Sequence, residues 1–249
     1  MKAVILAGGS GTRLHPLTLV TNKHLLPVFD KPVIYYAIEK LVDAGITKIM
    51  VVTSPNHIDS FVKLLGSGQH FVPKQTNAKQ IQIVYGIQNE PNGIAYGLFI
   101  AEDYIGDDNC VLFLGDNIFM DDIAPAIKNF KKGATVFLKK VPDPKRFGIA
   151  EVNKKGNIVS LEEKPAKPKS NLAVTGLYIY DNSVFDKIRK IPQSDRGEYE
   201  ITSVNALYLK EGTLRGQTLK QEWFDIGNIE ALHKASLFMK KRAKNETLI

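Results

Sequence analysis

The sequence predicts an α/β fold: a Rossmann-like, mostly parallel central sheet flanked by helices, with a smaller mixed β lobe. Three observations carry this reading. Strand and helix patterns alternate through the first half of the chain. Strand-type segments dominate residues 135–180. The 249 residues, 44% of them hydrophobic, suffice to bury one good core.

Taken in order, residues 2–7 read as a buried strand, a short apolar run closed by Gly8 and Gly9. Residues 32–44 read as a helix. Pro32 suits a first helical turn, and Ile34, Ala37, Ile38, Leu41 and Val42 recur at helical spacing. Gly45 fits the stop. A strand is expected at 48–53, a helix at 57–65, an alternating strand through Ile81, Ile83, Tyr85 and Ile87, a helix at 93–105 and a strand at 111–114. The second half predicts strands at 135–141, 149–152, 158–162 and 173–180, with a turn at 154–157. Helices are expected at 182–189, 200–211 and 228–241. No internal repeat or linker interrupts the chain, so one domain covers 1–249, with halves at 1–133 and 134–249. In such a sheet, ligands gather at the C-terminal ends of the parallel strands.

Composition and patterning exclude several classes. No run of 18 apolar residues exists to span a membrane. The apolar run 3–7 is too short for a secretory signal. The single cysteine, Cys110, forms no internal disulfide and fits a reducing cytoplasm. Five histidines show no metal-ligand spacing, and they and Trp223 read as packing. The net charge of +7 suits a polyanionic partner but also an ordinary solvated lysine surface.

The segment Gly8-Gly-Ser-Gly-Thr-Arg-Leu14 follows the first strand directly. Glycines there let backbone N–H groups face an anion with no Cβ in the way, and Arg13 adds a delocalised charge. It is not a dinucleotide fingerprint, because Leu14 holds the place of the third glycine, and no Gly-Lys-Ser/Thr ends it as in a Walker loop.

The run continues Leu14-His-Pro-Leu-Thr18, then Asn22-Lys-His-Leu-Leu-Pro-Val-Phe-Asp-Lys-Pro32. Further segments come in order: Gln88 with Gly93, Leu114-Gly-Asp-Asn117, Arg146-Phe-Gly148, Glu162-Glu-Lys-Pro165, Val174-Thr-Gly176, Arg196-Gly-Glu-Tyr-Glu200 and Trp223-Phe-Asp-Ile-Gly227. This collinear set closely resembles the signature of nucleotide-sugar pyrophosphorylases, especially the glucose-1-phosphate thymidylyltransferases, and it covers nearly the whole chain. The resemblance implies in-line attack of a sugar phosphate on the α-phosphorus of a nucleoside triphosphate, with dTTP and glucose 1-phosphate as substrates.

What it implies for residues is specific. Arg13 and Lys23 are the catalytic cations, Arg13 on the triphosphate and Lys23 near the α-phosphate and sugar phosphate. Leu6, Gly8, Gly9, Gly11, Thr12, Gln88 and Gly93 join Arg13 in binding the nucleotide. Gly148, Glu163, Lys164, Val174, Thr175 and Arg196 join Lys23 at the sugar phosphate. Asp116 and Asp225 hold Mg²⁺. Residues 1–133 become the nucleotide half, and 134–249 the sugar-binding half. Self-association as a homodimer or homotetramer is implied too, with no nucleic-acid or membrane partner. One departure stands out: many relatives read Gly-Leu-Ala-Gln-Ala where this chain has Gly93-Ile-Ala-Tyr-Gly97. Tyr96 thus leaves dTTP against UTP open. A UTP- or other triphosphate-dependent enzyme and a catalytically silent nucleotide-sugar sensor are the alternatives, with an NAD-dependent oxidoreductase more distant. After Gly227 about one long helix remains, so the resemblance is to the short form. Longer relatives carry a further helical segment at a regulatory site, so weak or altered feedback by dTDP-rhamnose is expected here.

Overall fold

The computed structural model describes residues 1–72 and 80–246. The chain opens with β1 (Lys2–Leu6), whose alternate side chains enter two different cores: Ala3 and Ile5 on one face, Val4 on the other. Burial on both faces is why the strand reads as a continuous apolar run rather than an alternation. A small hairpin, β2 (Pro27–Val28) and β3 (Lys31–Pro32), precedes α1 (Val33–Asp43). Pro32 is the extended residue before α1 rather than part of its first turn, with ψ 146°. Ile34, Ala37, Ile38 and Leu41 face the sheet. Gly45, at φ 85°, ends the helix and lets Ile46 N–H close back on the Leu41 carbonyl.

Next come β4 (Lys48–Thr53), α2 (Ile58–Leu65) and β5 (Gln82–Ile87). The helix expected at 93–105 is broken. It forms α3 (Ile94–Phe99) and α4 (Glu102–Ile105), because at Ala101 the N–H closes on the nearer Leu98 carbonyl and the backbone leaves the helical region. Then β6 (Cys110–Leu114) completes a parallel array, with β1 between β4 and β6 and β5 at the edge.

Besides the two-residue β2 and β3, four elements carried no readable periodicity: β7 (Asn117–Phe119), α5 (Ala124–Asn129), and, later, β12 (Leu214–Thr218) and β13 (Trp223–Asp225). The rest of the second half has the expected order: β8 (Ala134–Lys140), β9 (Gly148–Val152), β10 (Ile158–Glu163), β11 (Leu172–Tyr180), α6 (Val184–Ile188), α7 (Ile201–Lys210) and α8 (Ile229–Glu246). These strands are not detached from the parallel array. β11 runs antiparallel to β6, β8 and β9, and so extends the central sheet into the smaller β lobe. Helices α1 and α2 cover one face of the sheet, and α3, α6 and α7 supply buried residues to the core on the other. No described helix is long and apolar enough to cross a membrane.

The short pair β7–β13 is small but joins distant parts of the chain. Its antiparallel register sets Asp225 opposite Asn117, and the Ile226 N–H donates to the Asp116 carbonyl at 2.9 Å. Two segments more than a hundred residues apart thereby meet at the C-terminal end of β6.

Candidate active site

Two adjoining clefts lie at the carboxyl ends of the parallel strands. The first is lined by Leu6, Gly8 and Gly9 at the end of β1, by Lys23 and Asp116, and by Gln88 and Gly93. The chain leaves β1 through Ala7, whose carbonyl accepts from Asn22 Nδ2 and Thr53 Oγ1, both at 3.1 Å. Gly11 takes the left-handed conformation, φ 65°, which favours glycine. A Cβ at residue 9 would stand 3.0 Å from the Lys23 side chain, so glycine leaves that cation free to reach the cleft. Gly11, Thr12 and Arg13 do not line the cleft, and Thr12 and Arg13 are exposed. Arg13 instead points toward Gly227: its guanidinium and the Asp225 carboxylate both lie within about 3.2 Å of where a Cβ there would sit.

Lys23 forms an ion pair with Asp116. Asp116 is 7% exposed, and Asn117 Nδ2 donates to its Oδ1 at 2.9 Å. Burial alone would raise the Asp116 pKa, but Lys23 reverses this and the carboxyl is held below its ordinary value. Asp225 goes the other way. Burial and the nearby Asp116 carboxylate raise its pKa, against the opposing pull of Lys23, Arg146 and Arg13. The Arg146 guanidinium stands 3.4 Å from Asp225. A carboxylate whose ionisation is opposed by burial and by a neighbouring carboxylate, as that of Asp225 is by Asp116, is one that a dication relieves. No cluster of three metal-ligating side chains occurs among the described residues. A pair with the remaining positions left to phosphate and water suits magnesium.

The second cleft brings together Gly148, Glu163, Lys164, Val174, Thr175 and Arg196, with Asp225 on its wall. Glu163 accepts from Thr202 Oγ1 at 2.5 Å and faces Arg196 at 3.4 Å and Lys164 at 3.9 Å. Burial raises its pKa; Glu200 adds to this while the Thr202 hydrogen bond opposes it. Residue 148 must be small, since a Cβ there would stand 2.9 Å from Thr202 Oγ1 and 3.1 Å from the Glu163 carboxylate. The Thr175 hydroxyl donates to the Phe137 carbonyl at 2.9 Å, so its proton is already committed within the fold. Ile94, Leu114 and Glu198 line both clefts, making them one continuous surface.

Several residues of this surface were absent from the expected set, five of them with contacts that bear on the site. Asn117 Oδ1 accepts from the Gly176 N–H at 3.1 Å and from Trp223 Nε1 at 2.8 Å, so one amide ties β7, β11 and β13 together. Arg146 faces Asp225, and Glu198 faces both clefts. Asn117, Arg146 and Glu198 stood inside the recognised segments, which was their only signal. His24 is buried, as expected of a packing residue, but it also lines the first cleft. Burial, followed by Lys23, lowers its pKa to about 3, and its Nδ1 lies 2.6 Å from Asn22 Oδ1. Trp223 packs edge-to-face on Phe147 two residues before Asp225 and also lines the second cleft.

The profile of the nucleotidyl transferase family matches residues 2–242. The chain is 46% identical over 245 residues to a glucose-1-phosphate thymidylyltransferase of Neisseria meningitidis, covering 96% of this chain and 82% of that one. It is 44% identical, with the same coverage, to the enzyme of that name from Mycolicibacterium smegmatis. A Bacillus anthracis structure assigned as a glucose-1-phosphate thymidylyltransferase, solved with sucrose, superposes with a TM-score of 0.88 at 46% identity, covering 96% of this chain and 94% of that one. A UDP-glucose pyrophosphorylase solved with UDP-glucose shares the fold, with a TM-score of 0.83 at 24% identity over 97% of this chain and 98% of that one. The chain belongs to the nucleotidyl transferase family, on its glucose-1-phosphate thymidylyltransferase branch.

Proposed function

We propose that this nucleotidyltransferase joins dTTP to glucose 1-phosphate with Mg²⁺, giving dTDP-glucose and pyrophosphate. The observation that carries the reading is the seam between the clefts. Lys23 and Asp116 line one, Asp225 lines the other, and the walls are shared.

The attacking group is a phosphate monoester, a dianion near neutral pH because its second pKa is about 6. It needs no general base. His24 fits this economy: buried, with its pKa depressed, it stays neutral and packs the cleft floor. The barrier lies in bringing two polyanions together and stabilising the charge of the transferred group. Lys23 serves both polyanions from the seam, and Arg13 closes on the triphosphate. Asp116 and Asp225 hold the magnesium ion, which supplies charge neutralisation on the phosphate oxygens when bound.

Gln88 offers a donor and an acceptor together, the pattern that matches the O4/N3–H edge of thymine or uracil. The Gly93 backbone reaches the base's other carbonyl. Leu6, Gly8, Gly9, Gly11 and Thr12 wrap the nucleoside and phosphates. On the other side, Glu163 accepts from sugar hydroxyls, Lys164 and Arg196 hold the phosphate, and Gly148, Val174 and Thr175 shape the wall. Residues 1–133 form the nucleotide end of one domain and 134–249 the sugar end, with Glu198 and Asn117 each crossing to the other side. Self-association as a homodimer or homotetramer in the cytoplasm belongs to the same reading.

Tyr96, the departure in the base-side helix, lines neither cleft. Its presence therefore leaves the dTTP assignment intact. The deciding measurement is pyrophosphate release with Mg²⁺ and glucose 1-phosphate, comparing dTTP, UTP, CTP, GTP and ATP. Fastest release with dTTP is expected. A strong preference for UTP overturns the assignment of the base, and no release with any triphosphate overturns the reaction.

A further inference from the structure

Tyr96 has a partner in the second half of the chain. Its ring stacks on that of Tyr199, with centroids 6.0 Å apart and planes 23° from parallel. The backbone of Tyr199 brackets the base-side loop: its N–H donates to the Asn92 carbonyl at 2.8 Å, and its carbonyl accepts from the Ala95 N–H at 3.2 Å. The approach is so close that a Cβ at residue 93 would stand 2.8 Å from the Tyr199 carbonyl oxygen. Gly93, at φ 97°, is the residue that permits it.

This contact joins the two clefts. On one side, Gln88 Nε2 lies 3.5 Å from the Gly93 carbonyl. On the other, Tyr199 stands between Glu198, which lines both clefts, and Glu200, which accepts from Arg196 at 2.7 Å. Arg196 in turn faces Glu163. Neither tyrosine lines a cleft. The stack ties α3, which opens directly after Gly93, to the 194–200 strap, and the Tyr199 N–H ties the same strap to Asn92. The 88–93 loop and the strap lie outside helices and strands, so each has backbone freedom to lose when a ligand orders it.

We propose that Tyr96 and Tyr199 are positioning residues that make nucleotide and sugar-phosphate binding cooperative. The inference rests on the substrates proposed above. A nucleotide that orders the Gln88–Gly93 loop also orders the Arg196–Glu200 strap through the stack and its two hydrogen bonds. The sugar phosphate then meets a wall already in place, and linkage makes the effect reciprocal.

Calorimetry tests this. The affinity for glucose 1-phosphate is measured with and without a saturating α,β-methylene analogue of dTTP, in the presence of Mg²⁺. The unaltered protein should show tightening of about ten-fold, ~1.4 kcal/mol. Tyr96→Ala should bring that factor toward one, and Tyr96→Phe, which keeps the ring, should retain it. Tyr199→Leu keeps the backbone bonds and loses the ring, and it should also lower the factor. This second variant decides the matter if Tyr96→Ala does not fold. An unchanged factor in the folded ring-deleted variants, or a factor of one in the unaltered protein, overturns the coupling. So does loss of the factor in Tyr96→Phe. Absence of binding by both ligands to the unaltered protein instead overturns the proposed function.

Discussion

The cleft at the end of β1 is edged by a run of glycines and Ser10 with few side-chain bonds among its lining residues, whereas the cleft beside β11 presents a wired set of charged side chains. In the first, Leu6, Gly8, Gly9 and Ser10 form the lip, and the Lys23–Asp116 pair is the one strong side-chain contact among its described lining residues. In the second, Glu163, Arg196, Glu200 and Thr202 are already bonded to one another, and Asn117 ties three strands behind them. On the proposed assignment, with the triphosphate in the first cleft and the sugar in the second, the difference matches what each kind of ligand demands. A triphosphate carries its own strong charge and is held by N–H groups and cations that close on it. A sugar offers neutral hydroxyls, and an acceptor already held by a neighbour, as Glu163 is by Thr202, spares it part of the entropy of ordering.

The seam should be the most sensitive point of that contrast. Lys23→Ala and Asp225→Asn are each expected to lower kcat by a few orders of magnitude, a loss of about 3–4 kcal/mol of charge stabilisation. Near-normal pyrophosphate release in either would break the assignment of the seam. Glu163→Gln comes next. It should raise KM for glucose 1-phosphate about ten- to a hundred-fold, the range of a hydrogen bond to a charged group, ~1.5–3 kcal/mol. KM for dTTP should barely move; a parallel rise in both would mean that the clefts are not separate in recognition. Gln88→Ala should show the converse, weakening dTTP about five- to ten-fold through a neutral hydrogen bond and narrowing its lead over CTP.

The smallest expected effect concerns pH. Because burial raises the Glu163 pKa, this carboxylate takes up a proton at a less acid pH than an ordinary glutamate. Falling pH thus removes an acceptor and raises KM for glucose 1-phosphate by a few-fold. The substrate phosphate titrates near about 6 in every variant, so the Glu163→Gln profile provides the baseline. Identical acid limbs in the two proteins would show that Glu163 contributes nothing to the profile.

Much of this architecture was legible beforehand, and the exceptions share a cause. β1, β4 and β6 are short apolar runs buried on both faces, so composition and bounding glycines reveal them. β7 and β13 are three residues each, too short for any period, and exist because they pair with each other. β12 is largely exposed and is held as a strand by its pairing with β8. The site residues named from the recognised segments gather in two adjoining clefts, except that Gly11, Thr12 and Arg13 do not line them. Arg146, Asn117 and Glu198 were visible in those same segments, yet only their neighbours in space show what they touch.

By itself, the sequence determined the alternating α/β order and the glycine turn after β1, because these depend on local period and backbone freedom, whereas the expected carboxylates and cations came from the resemblance of its motifs. The tertiary structure decided which of them act together. The β7–β13 register brings Asp225 to Asp116, β11 welds the second lobe onto the parallel sheet, and Tyr199 binds the 88–93 loop to the 194–200 strap. Each of these is a pairing between distant segments, and no local pattern encodes its partner.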